Sequence, residues 1–407
     1  MMFARTDEEK VLRDPVHGYI HVSLQVVWDV INSAWFQRLR RIRQLGGAYV
    51  VYHCAEHSRF EHSLGVYEIV RRMVTEVSDI AEALNEREKV TVMLAALLHD
   101  IGHGPYSHAF EGVTNTSHEE FTCRIIEENT EITFILENCA AGLSKEVSDV
   151  IRHKSANPLL TQLISSQLDA DRFDYLLRDA YFTGTTYGEY DLERILRIMR
   201  VTDHNQLVVK ESGVYAVENY IMARYHMYWQ VYYHPVARSY ECILHMLFTR
   251  LKDIGKDGIG EAAYAVFGPL IHGDSISLSD YFRMDEYTFG YGFQCLCECE
   301  DPIAADLAGR LRDRRLFTYA DSSPQSNRRI REKLKKEGYD LRYYWGRDEV
   351  EQSPYVPYGS DHSGSIFVRG KDGTTMELSN SSNIVYSLIH GPGKDDNKVF
   401  YPEEINA

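Results

Sequence analysis

The sequence LLHDIGHGPYSH, residues 97–108, decides how the rest of the chain is interpreted. It follows the apolar run of residues 90–98, which predicts a buried helix because the run has no polar face. Gly102, Gly104 and Pro105 end that helix, so His99 and Asp100 lie at its last turn. An adjacent imidazole and carboxylate at a buried helix end form a mixed pair that suits iron, manganese, zinc or nickel.

Further ligands must come from other parts of the chain, because two ligands hold a transition metal poorly. His62 lies at the start of the preceding predicted helix, and Asp171 lies on a later one within an Asp-x-Asp motif. An isolated His-Asp pair is commonly a surface accident or a helix cap. An upstream His and a downstream Asp-x-Asp make that alternative weak, and the four residues predict a metal site.

The composition argues against two classes of partner. The chain has 407 residues, 44 Lys and Arg against 60 Asp and Glu, and a formal net charge of -16. A surface that acidic repels phosphate backbones and anionic lipid, so we expect neither nucleic acid nor a membrane as partner. Histidine is unevenly distributed, since 7 of the 17 fall within one 66-residue stretch: His53, His57, His62, His99, His103, His108 and His118.

The sequence also favours a reducing compartment. Residues 1–14 are polar and charged, without the apolar core of a signal peptide. The longest strongly apolar run is far shorter than the roughly 20 residues that span a bilayer. Seven Cys at irregular spacings do not form a disulfide framework. We therefore expect a cytoplasmic protein.

Periodicity predicts a mostly α fold, with a helical core and a smaller mixed α+β C-terminal lobe. The helical period dominates residues 23–253, with a long aromatic-rich segment interrupted near Pro235. A Ser/Pro break at 322–326 precedes a charged helix at 328–336, and residues 340–345, 366–368 and 375–378 alternate like strands, the last two joined by a turn at 371–373. The predicted units are 1–255 (helical core), 256–320 (helical extension) and 321–407 (C-terminal lobe).

The order His62, His99-Asp100, Asp171 matches the H…HD…D signature of the HD phosphohydrolase superfamily. Within it the sequence resembles the deoxynucleoside triphosphate (dNTP) triphosphohydrolases, over about residues 10–235 and more weakly beyond. The blocks that carry this closer resemblance are Asp14-Pro15-Val16-His17-Gly18 and residues 36–40, 44–47, 59–65, 98–108 and 166–179.

The resemblance implies that His62, His99, Asp100 and Asp171 bind one transition metal: Mn, Fe, Zn or Ni. Two imidazoles and two carboxylates leave positions open for water and a phosphate oxygen, as a catalytic site requires. In this family water attacks the α-phosphorus and releases the nucleoside and tripolyphosphate, and Mg²⁺ is expected on the triphosphate.

The leaving 5′ oxygen needs a proton, and imidazole is the natural donor near neutral pH. The resemblance implies His108 as the general acid, with Glu111 as its orienting carboxylate. His103 and His118 would contact the phosphates or set protonation, although His118 also fits as a helix-start residue without a catalytic part. His53 and His57 match no ligand position, so we interpret them as structural or surface residues.

Phosphates need cations, and the resemblance assigns Arg59, Arg172 and Arg224 to them, since a guanidinium can bind two oxygens at once. The alternative for each is an ordinary surface salt bridge.

Helical spacing places Asp171, Tyr175 and Asp179 on one helix face, at i, i+4 and i+8. The resemblance assigns Tyr175 and Asp179 to the deoxyribose, with Gln44 also near the 3′ hydroxyl. It implies that Leu45 and Tyr232 crowd the 2′ position and so exclude ribonucleotides. Tyr232 could equally pack in a core stripe with its aromatic neighbours Tyr225, Tyr228, Trp229 and Tyr233.

Some members of the family are homo-oligomers, dimers or tetramers, activated by a bound dNTP effector. The positions that match the effector site are Lys10, Val11, Asn32, Gln37 and Arg40. Asn32 replaces the Asp that reads guanine in the animal SAM-and-HD-domain enzyme, which puts guanine-specific activation in doubt. The basic cluster Arg38, Arg40, Arg41 and Arg43 could hold effector phosphates or form a solvated helix face.

Three points stay open at the level of sequence. Cys295-x-Cys297-x-Cys299 could bind a soft metal, but a buried core strand is the favoured interpretation. The same metal site would also serve a phosphodiesterase or nuclease, which would release a mononucleotide rather than tripolyphosphate. A nonenzymatic nucleotide sensor is disfavoured because every ligand and general-acid position is filled.

Overall fold

A computed structural model describes residues 3–107, 110–112, 117–271, 276–352, 365–391 and 394–405. The described chain is mostly helical, with three small sheets, as the sequence predicts. None of its helices combines the length and apolar character that a membrane crossing requires. Helices in the first half of the chain are Gln25–Asn32, Ala34–Arg38, Arg59–Glu76, Ser78–Ala83, Glu86–Leu98, His118–Glu127, Glu131–Cys139, Leu143–Ile151, Pro158–Ile164, Ala170–Thr183 and Leu192–Ile198.

Helices in the second half are Val214–Met227, Pro235–Ile254, Gly260–Ile271, Leu278–Arg283, Glu286–Leu296, Pro302–Arg312, Pro324–Lys336, Leu341–Tyr344 and Asn383–His390. A π-helical turn, Tyr228–Tyr232, separates the first two of these before Pro235. The interruption predicted near Pro235 is therefore confirmed.

Three helices form the centre of the core: the His62 helix (Arg59–Glu76), the His99 helix (Glu86–Leu98) and the Asp171 helix (Ala170–Thr183). The His62 helix packs against both of the others. Residues 90–98 of the His99 helix are all buried, which agrees with the absence of a polar face in the sequence.

Local sequence signals set where these helices begin. The Asn85 side chain accepts hydrogen bonds from the backbone N–H groups of Arg87 and Glu88, both at 3.0 Å, and caps the His99 helix. The buried Asp169 side chain accepts from the Arg172 N–H at 2.7 Å and caps the Asp171 helix. Each such cap stabilises a helix by about 1 kcal/mol. The Asp171 helix ends at Gly184, whose φ of +70° is left-handed.

Strands β1 (Arg5–Asp14) and β2 (Gly18–Leu24) pair as an antiparallel hairpin before the first helix. The sequence analysis missed this hairpin because β1 is polar and has no alternating apolar face. At its turn the Asp14 carboxylate accepts hydrogen bonds from the N–H groups of Val16 and His17, both at 2.9 Å. Gly18 closes the turn with a φ of +76°.

The C-terminal strands join two different sheets. Strands β3 (Met199–Val201), β4 (Leu207–Lys210), β7 (Phe367–Arg369) and β8 (Thr375–Glu377) form one sheet in that order, in which β4 and β7 are parallel. Strands β5 (Phe317–Asp321), β9 (Lys394–Pro402) and β6 (Gly346–Gln352) form an antiparallel sheet in that order. The predicted hairpin of β7 and β8 is confirmed, and β7 extends a sheet begun by core residues.

The strand predicted at residues 340–345 is wrong, because Leu341–Tyr344 is a short helix. The Asp340 side chain accepts a hydrogen bond from the Arg342 N–H at 2.9 Å and caps this helix. Tyr343 and Tyr344 then donate hydroxyl bonds to Asp253 and Asp306, at 2.6 and 3.0 Å. Capping and these two long-range bonds override the alternation of the sequence.

The core strand predicted at Cys295, Cys297 and Cys299 is also wrong. Helix Glu286–Leu296 includes Cys295, and Cys297 is its C-cap residue. Its buried stripe, Phe289, Phe293 and Leu296, has helical spacing, which outweighs the two-residue period of the thiols. All three cysteines are free and partly exposed.

Candidate metal centre and active site

Four side chains from the three central helices converge in the core. His62 is the fourth residue of the His62 helix, His99 caps the end of the His99 helix and is followed by Asp100, and Asp171 is the second residue of the Asp171 helix. His62 Nε2 lies 3.1 Å from Asp171 Oδ1, and His99 Nε2 lies 3.3 Å from Asp100 Oδ1 and 3.7 Å from Asp171 Oδ1. The structure brings the whole predicted ligand set together.

Both imidazoles are held in the tautomer that a metal requires. His99 Nδ1 lies 2.7 Å from the Ala96 carbonyl oxygen, which only accepts, so the proton is on Nδ1. His62 Nδ1 lies 2.8 Å from Asp174 Oδ2 in the same arrangement. Within the described residues, the Nε2 atoms of His62 and His99 are buried and have no hydrogen-bond partner. Both Nε2 atoms face the cluster, and each can bind a metal ion once it carries no proton.

The electrostatics of the cluster favour a cation. Burial lowers the pKa of His62, but the carboxylates of Asp171 and Asp174 outweigh it and raise this pKa to about 10. Burial raises the pKa of Asp171, but the two imidazoles outweigh it and hold this pKa below its usual range. A site that stabilises imidazolium beside carboxylate offers the same environment to a divalent ion.

Asp174 is the main supporting residue, and the sequence analysis missed it. Its fully buried carboxylate contacts His62 Nδ1 at 2.8 Å and His17 Nε2 at 2.6 Å, and accepts two bonds from Arg178 at 2.8 Å. Arg178 also donates to Asp14 at 2.8 Å. The sequence block from Asp14 to Gly18 forms the β1–β2 turn. This turn supplies His17 and Asp14, which hold the Asp174 carboxylate and its partner Arg178 in place beside His62. The detectable signal was the position of Asp174, three residues after Asp171.

A row of histidines continues from Asp100. His103 Nε2 lies 3.3 Å from Asp100 Oδ1, and the His103 ring stacks on His118 with centroids 3.9 Å apart. His118 begins helix His118–Glu127, and its Nδ1 lies 2.6 Å from Glu111 Oε1. Burial and the nearby Arg59 guanidinium hold the pKa of His103 well below its usual range. His118 is therefore both a helix-start residue and part of the site.

His108, the predicted general acid, lies outside the described residues. Glu111, the carboxylate predicted to orient His108, is described, and it contacts the His118 imidazole.

Arg59 lies in the site and pairs with a metal ligand. Its guanidinium donates to the Asp100 carboxylate and, at 2.8 Å, to Ser107 Oγ. Tyr106 and Ser107 both have left-handed backbones, with φ of 59° and 48°, which is uncommon outside glycine. This strained turn brings the Ser107 hydroxyl to Arg59.

Arg172 and Arg224 lie at the N-terminal end of the Asp171 helix. Arg172 donates to the Asp169 carboxylate and to the Ser166 carbonyl at 2.5 Å, and Arg224 donates to Gln167 Oε1 at 2.6 Å. Within the described residues, the Nε atoms of both arginines are buried without a hydrogen-bond partner. Arg172 thus lies beside Asp171 on the helix, and Arg224 lies at the segment that precedes the helix.

The predicted sugar pocket is centred on Asp179, whose carboxylate is buried. It accepts a hydroxyl bond from Tyr232 at 2.8 Å and contacts His57 Nε2 at 2.8 Å. Within the described residues the buried Gln44 Oε1 has no hydrogen-bond partner, and the Gln44 N–H donates to the His57 carbonyl at 3.0 Å. Gln44, His57, Asp179 and Tyr232 are therefore linked in one polar cluster, where the sequence analysis places the sugar.

His57 is not a surface residue, because it is buried and stacks on Phe182 at 4.6 Å. Its contact with Asp179 makes it a site residue that the sequence analysis did not assign. Tyr232 faces Tyr175 with ring centroids 6.1 Å apart, so it belongs to the pocket as well as to the aromatic stripe. Leu45 is partly buried and precedes the 3₁₀ turn Gly46–Val50.

In the basic cluster at 38–43, Arg40 is exposed, but Arg38, Arg41 and Arg43 are turned towards protein acceptors. Arg38 is fully buried and donates to the His103 and Met284 carbonyls at 2.8 and 2.6 Å. Arg41 and Arg43 donate to Asp285 and Glu286, at 2.5 and 2.6 Å. Three of these acceptors, Met284, Asp285 and Glu286, lie at the start of helix Glu286–Leu296, about 245 residues further along the chain, so the sequence spacing does not reveal them.

The predicted effector positions lie towards the surface. Arg40 donates to Gln37 Oε1 at 2.8 Å and stacks on Phe60, and Asn32 donates to the Trp28 carbonyl at 2.7 Å. On β1, Lys10 pairs with Asp7 and Glu8, and Val11 is half exposed.

The fold is mostly helical, and its buried cluster contains a group, His62, His99 and Asp100, that could hold a metal ion, with Asp171 beside it. The chain belongs to the HD-domain phosphohydrolase family: the HD domain model matches residues 59–179, and the model of the HD associated region matches residues 190–338. It is 44% identical to the uncharacterized protein YwfO of Bacillus subtilis, over 98% of this chain and 94% of that protein.

Two other kinds of relative are informative. Human deoxynucleoside triphosphate triphosphohydrolase SAMHD1 is 27% identical, over 82% of this chain and 58% of that protein, and its Dictyostelium discoideum homologue is 30% identical over 61% and 50%. The crystal structure of a phosphohydrolase from Bacteroides thetaiotaomicron superposes with a TM-score of 0.84 at 28% identity, covering 97% of this chain and 100% of that one.

Proposed function

We propose that the protein is a metal-dependent dNTP triphosphohydrolase, which converts a dNTP and water to the deoxynucleoside and tripolyphosphate. One observation carries the proposal: Asp171, Tyr175 and Asp179 lie on one face of the Asp171 helix, with the metal cluster at one end and a polar pocket at the other. Eight residues of helix span about 12 Å, which suits a metal-bound α-phosphate and the 3′ hydroxyl of its sugar. The relatives named as deoxynucleoside triphosphate triphosphohydrolases support this choice of substrate.

His62, His99, Asp100 and Asp171 would hold the transition metal: Mn, Fe, Zn or Ni. Such an ion, when bound, lowers the pKa of water and polarises a phosphate oxygen. Asp174 and the Ala96 carbonyl keep the two imidazoles aimed at it. In the reaction the water oxygen bonds to the α-phosphorus while the bond from phosphorus to the 5′ oxygen breaks.

The leaving 5′ oxygen takes up one proton, and His108 is the proposed donor. Arg172 and Arg224 would bind the outer phosphates through their unused Nε donors, and Mg²⁺ would offset the remaining charge. Arg59 would stabilise the α-phosphate from its place beside Asp100.

The pocket at Asp179 would select the deoxyribose. Asp179 accepts the 3′ hydroxyl, and the free Gln44 Oε1 is a second acceptor. Tyr232, held against Asp179, and Leu45 would crowd the 2′ position, so that a ribose hydroxyl would clash. Such a clash disfavours ribonucleotides through the cost of forcing an extra group into a packed pocket.

Activation by a dNTP effector at Lys10, Val11, Asn32, Gln37 and Arg40, in a dimer or tetramer, is a further part of the proposal. Its support is the position of these residues near the surface. Stimulation of the hydrolysis of one dNTP by a second, in mixtures, tests it.

The decisive experiment compares Asp171→Asn with Asp257→Asn. Both changes remove one negative charge without changing volume, and Asp257 lies in an exposed turn far along the chain. With Mn²⁺ or Mg²⁺ and a panel of dNTPs, we expect Asp171→Asn to lose at least about 100-fold in kcat/KM and Asp257→Asn to keep full activity. Full activity of Asp171→Asn would refute the site, and release of a deoxynucleoside monophosphate would refute the reaction.

A further inference from the structure

A cleft of about 740 Å³ opens beside the N-terminal end of the Asp171 helix. Arg172, Ser166 and Gln167 line it together with residues from the segment before helix Pro158–Ile164 and from strands β4 and β7. Its volume lies in the range of pockets that hold small ligands. Nothing in the proposed sugar pocket lines this cleft.

The described lining of this cleft contains no Asp or Glu, although the chain has 60 such residues. It offers instead the Arg172 guanidinium, the hydroxyls of Ser155 and Ser165, and the imidazoles of His153 and His204. Four other cavities of about 380 to 440 Å³ are each lined by at least one carboxylate. In so acidic a protein, a cleft with donors and without carboxylates favours an anion.

One residue relates the cleft to the metal cluster. Arg172, which lines the cleft, directly follows Asp171 in the Asp171 helix, and its guanidinium is paired with the buried Asp169. Within the described residues its buried Nε has no hydrogen-bond partner. Gln167, also in the lining, accepts the hydrogen bond of Arg224, so Arg224 contacts the lining without being part of it.

The proposed sugar site and the cleft lie towards opposite ends of the Asp171 helix. From Asp171 the sugar pocket at Asp179 lies towards the C-terminus of this 14-residue helix, and the cleft lies towards its N-terminus. A phosphate chain that runs away from the sugar therefore points into the cleft. The positive end of the helix dipole lies at the same end.

We propose that this cleft binds a linear inorganic phosphate chain and is the route by which tripolyphosphate leaves the active site. The identity of the chain as a reaction product rests on the proposed function. The binding of tripolyphosphate itself does not, because it follows from the lining alone. The nucleoside and the phosphate chain would then leave by opposite ends of the Asp171 helix.

Calorimetric titration with sodium tripolyphosphate tests the cleft without any turnover. Ser165→Asp and His204→Asp each place a carboxylate on an exposed part of the lining, outside the metal centre and the sugar pocket. Like charges at close range repel, so we expect each change to weaken tripolyphosphate binding at least about tenfold. Ser279→Asp, at an exposed serine that does not line the cleft, should leave binding unchanged.

The outcomes separate the cleft from the proposed function. If the protein hydrolyses dNTPs but both cleft variants bind tripolyphosphate as tightly as the wild type, the cleft assignment is overturned and the function stands. If tripolyphosphate binds and both variants weaken it while no dNTP is hydrolysed, the cleft stands as a polyphosphate site. Absence of tripolyphosphate binding to the folded wild-type protein, checked by circular dichroism, also overturns the assignment.

Discussion

Gly65 should tolerate no side chain, because it faces Asp174 from the adjacent helix. A methyl group there would lie 2.6 Å from Asp174 Cγ and closer still to its Oδ1. Carbon atoms prefer separations of about 3.5 to 4.0 Å, so Asp174 would have to retreat by about 1 Å. The carboxylate would then lose its contacts with His62, His17 and Arg178. Breaking such a buried network costs about 3–5 kcal/mol.

At Gly290 the same change from glycine to alanine should raise the stability of the protein instead of lowering it. Gly290 lies inside helix Glu286–Leu296, is exposed, and has open space where a methyl group would go. Gly to Ala at such a helical position stabilises by about 0.5–1 kcal/mol. Denaturant unfolding should therefore separate Gly65→Ala from Gly290→Ala by several kcal/mol.

Metal content gives the second readout for this pair. Loss of the carboxylate that orients a metal-bound His lowers metal affinity about 10–100-fold. Mass spectrometry of protein purified from metal-supplemented medium should therefore show depleted metal in Gly65→Ala and normal metal in Gly290→Ala. Equal stability and equal metal content in the two variants would refute the role given to Asp174.

Three further predictions concern the loop after the His99 helix, the sugar pocket and the metal. Thr122→Val should lower the free energy of unfolding, measured with denaturant, by about 2–4 kcal/mol, because the Thr122 hydroxyl accepts from the Gly102 N–H at 2.9 Å and donates to the His99 carbonyl at 3.1 Å. Thr122→Ser keeps the hydroxyl and should retain most of this stability. An unchanged stability of Thr122→Val would contradict the role of these two hydrogen bonds. Tyr232→Phe should lower kcat/KM for dNTPs about tenfold by removing the bond to Asp179, whereas an exposed tyrosine changed in the same way, Tyr215→Phe, should have no effect. The folded pKa of His62, about 10, exceeds its ordinary value of 6.5, so its contribution to the stability of the metal-free protein is complete below pH 6.5 and is lost as pH rises towards 10. Metal binding must displace that proton. Burial lowers the pKa of His99, but the nearby Asp100 and Asp171 carboxylates outweigh it and raise this pKa as well. Calorimetry at pH 7.5 in buffers of different ionisation enthalpy should therefore record release of at least about one proton, and no release would contradict this protonation state.

The parts of the site that local sequence determines could be predicted. His99 and Asp100 end an apolar helix, and Asp171 and Asp179 share a helix face, so periodicity alone places each pair. The resemblance to a family then assigned their roles, and the structure brings the four ligand residues within contact distance.

The supporting residues could not be predicted, because their partners are distant in sequence. His17 and Asp174 are 157 residues apart, and His57 and Asp179 are 122 apart. No periodic pattern encodes such pairs. The partners of Arg38 could not be predicted for the same reason, because tertiary packing brings its acceptors, including the Met284 carbonyl, to it.

The errors in secondary structure have a different origin. At Asp340 and at Cys295, short alternating patterns predict strands where a helix forms. Side-chain caps and an apolar stripe of helical spacing decided the outcome in each case.

Hydrolysis of a dNTP in ¹⁸O-labelled water tests the central claim most directly. With the metal-loaded protein, mass spectrometry should find one ¹⁸O in tripolyphosphate and none in the deoxynucleoside, because water attacks the α-phosphorus and the 5′ oxygen stays with the sugar. Asp171→Asn should form neither product above background. Label in the deoxynucleoside, or release of a deoxynucleoside monophosphate with pyrophosphate, would contradict the account.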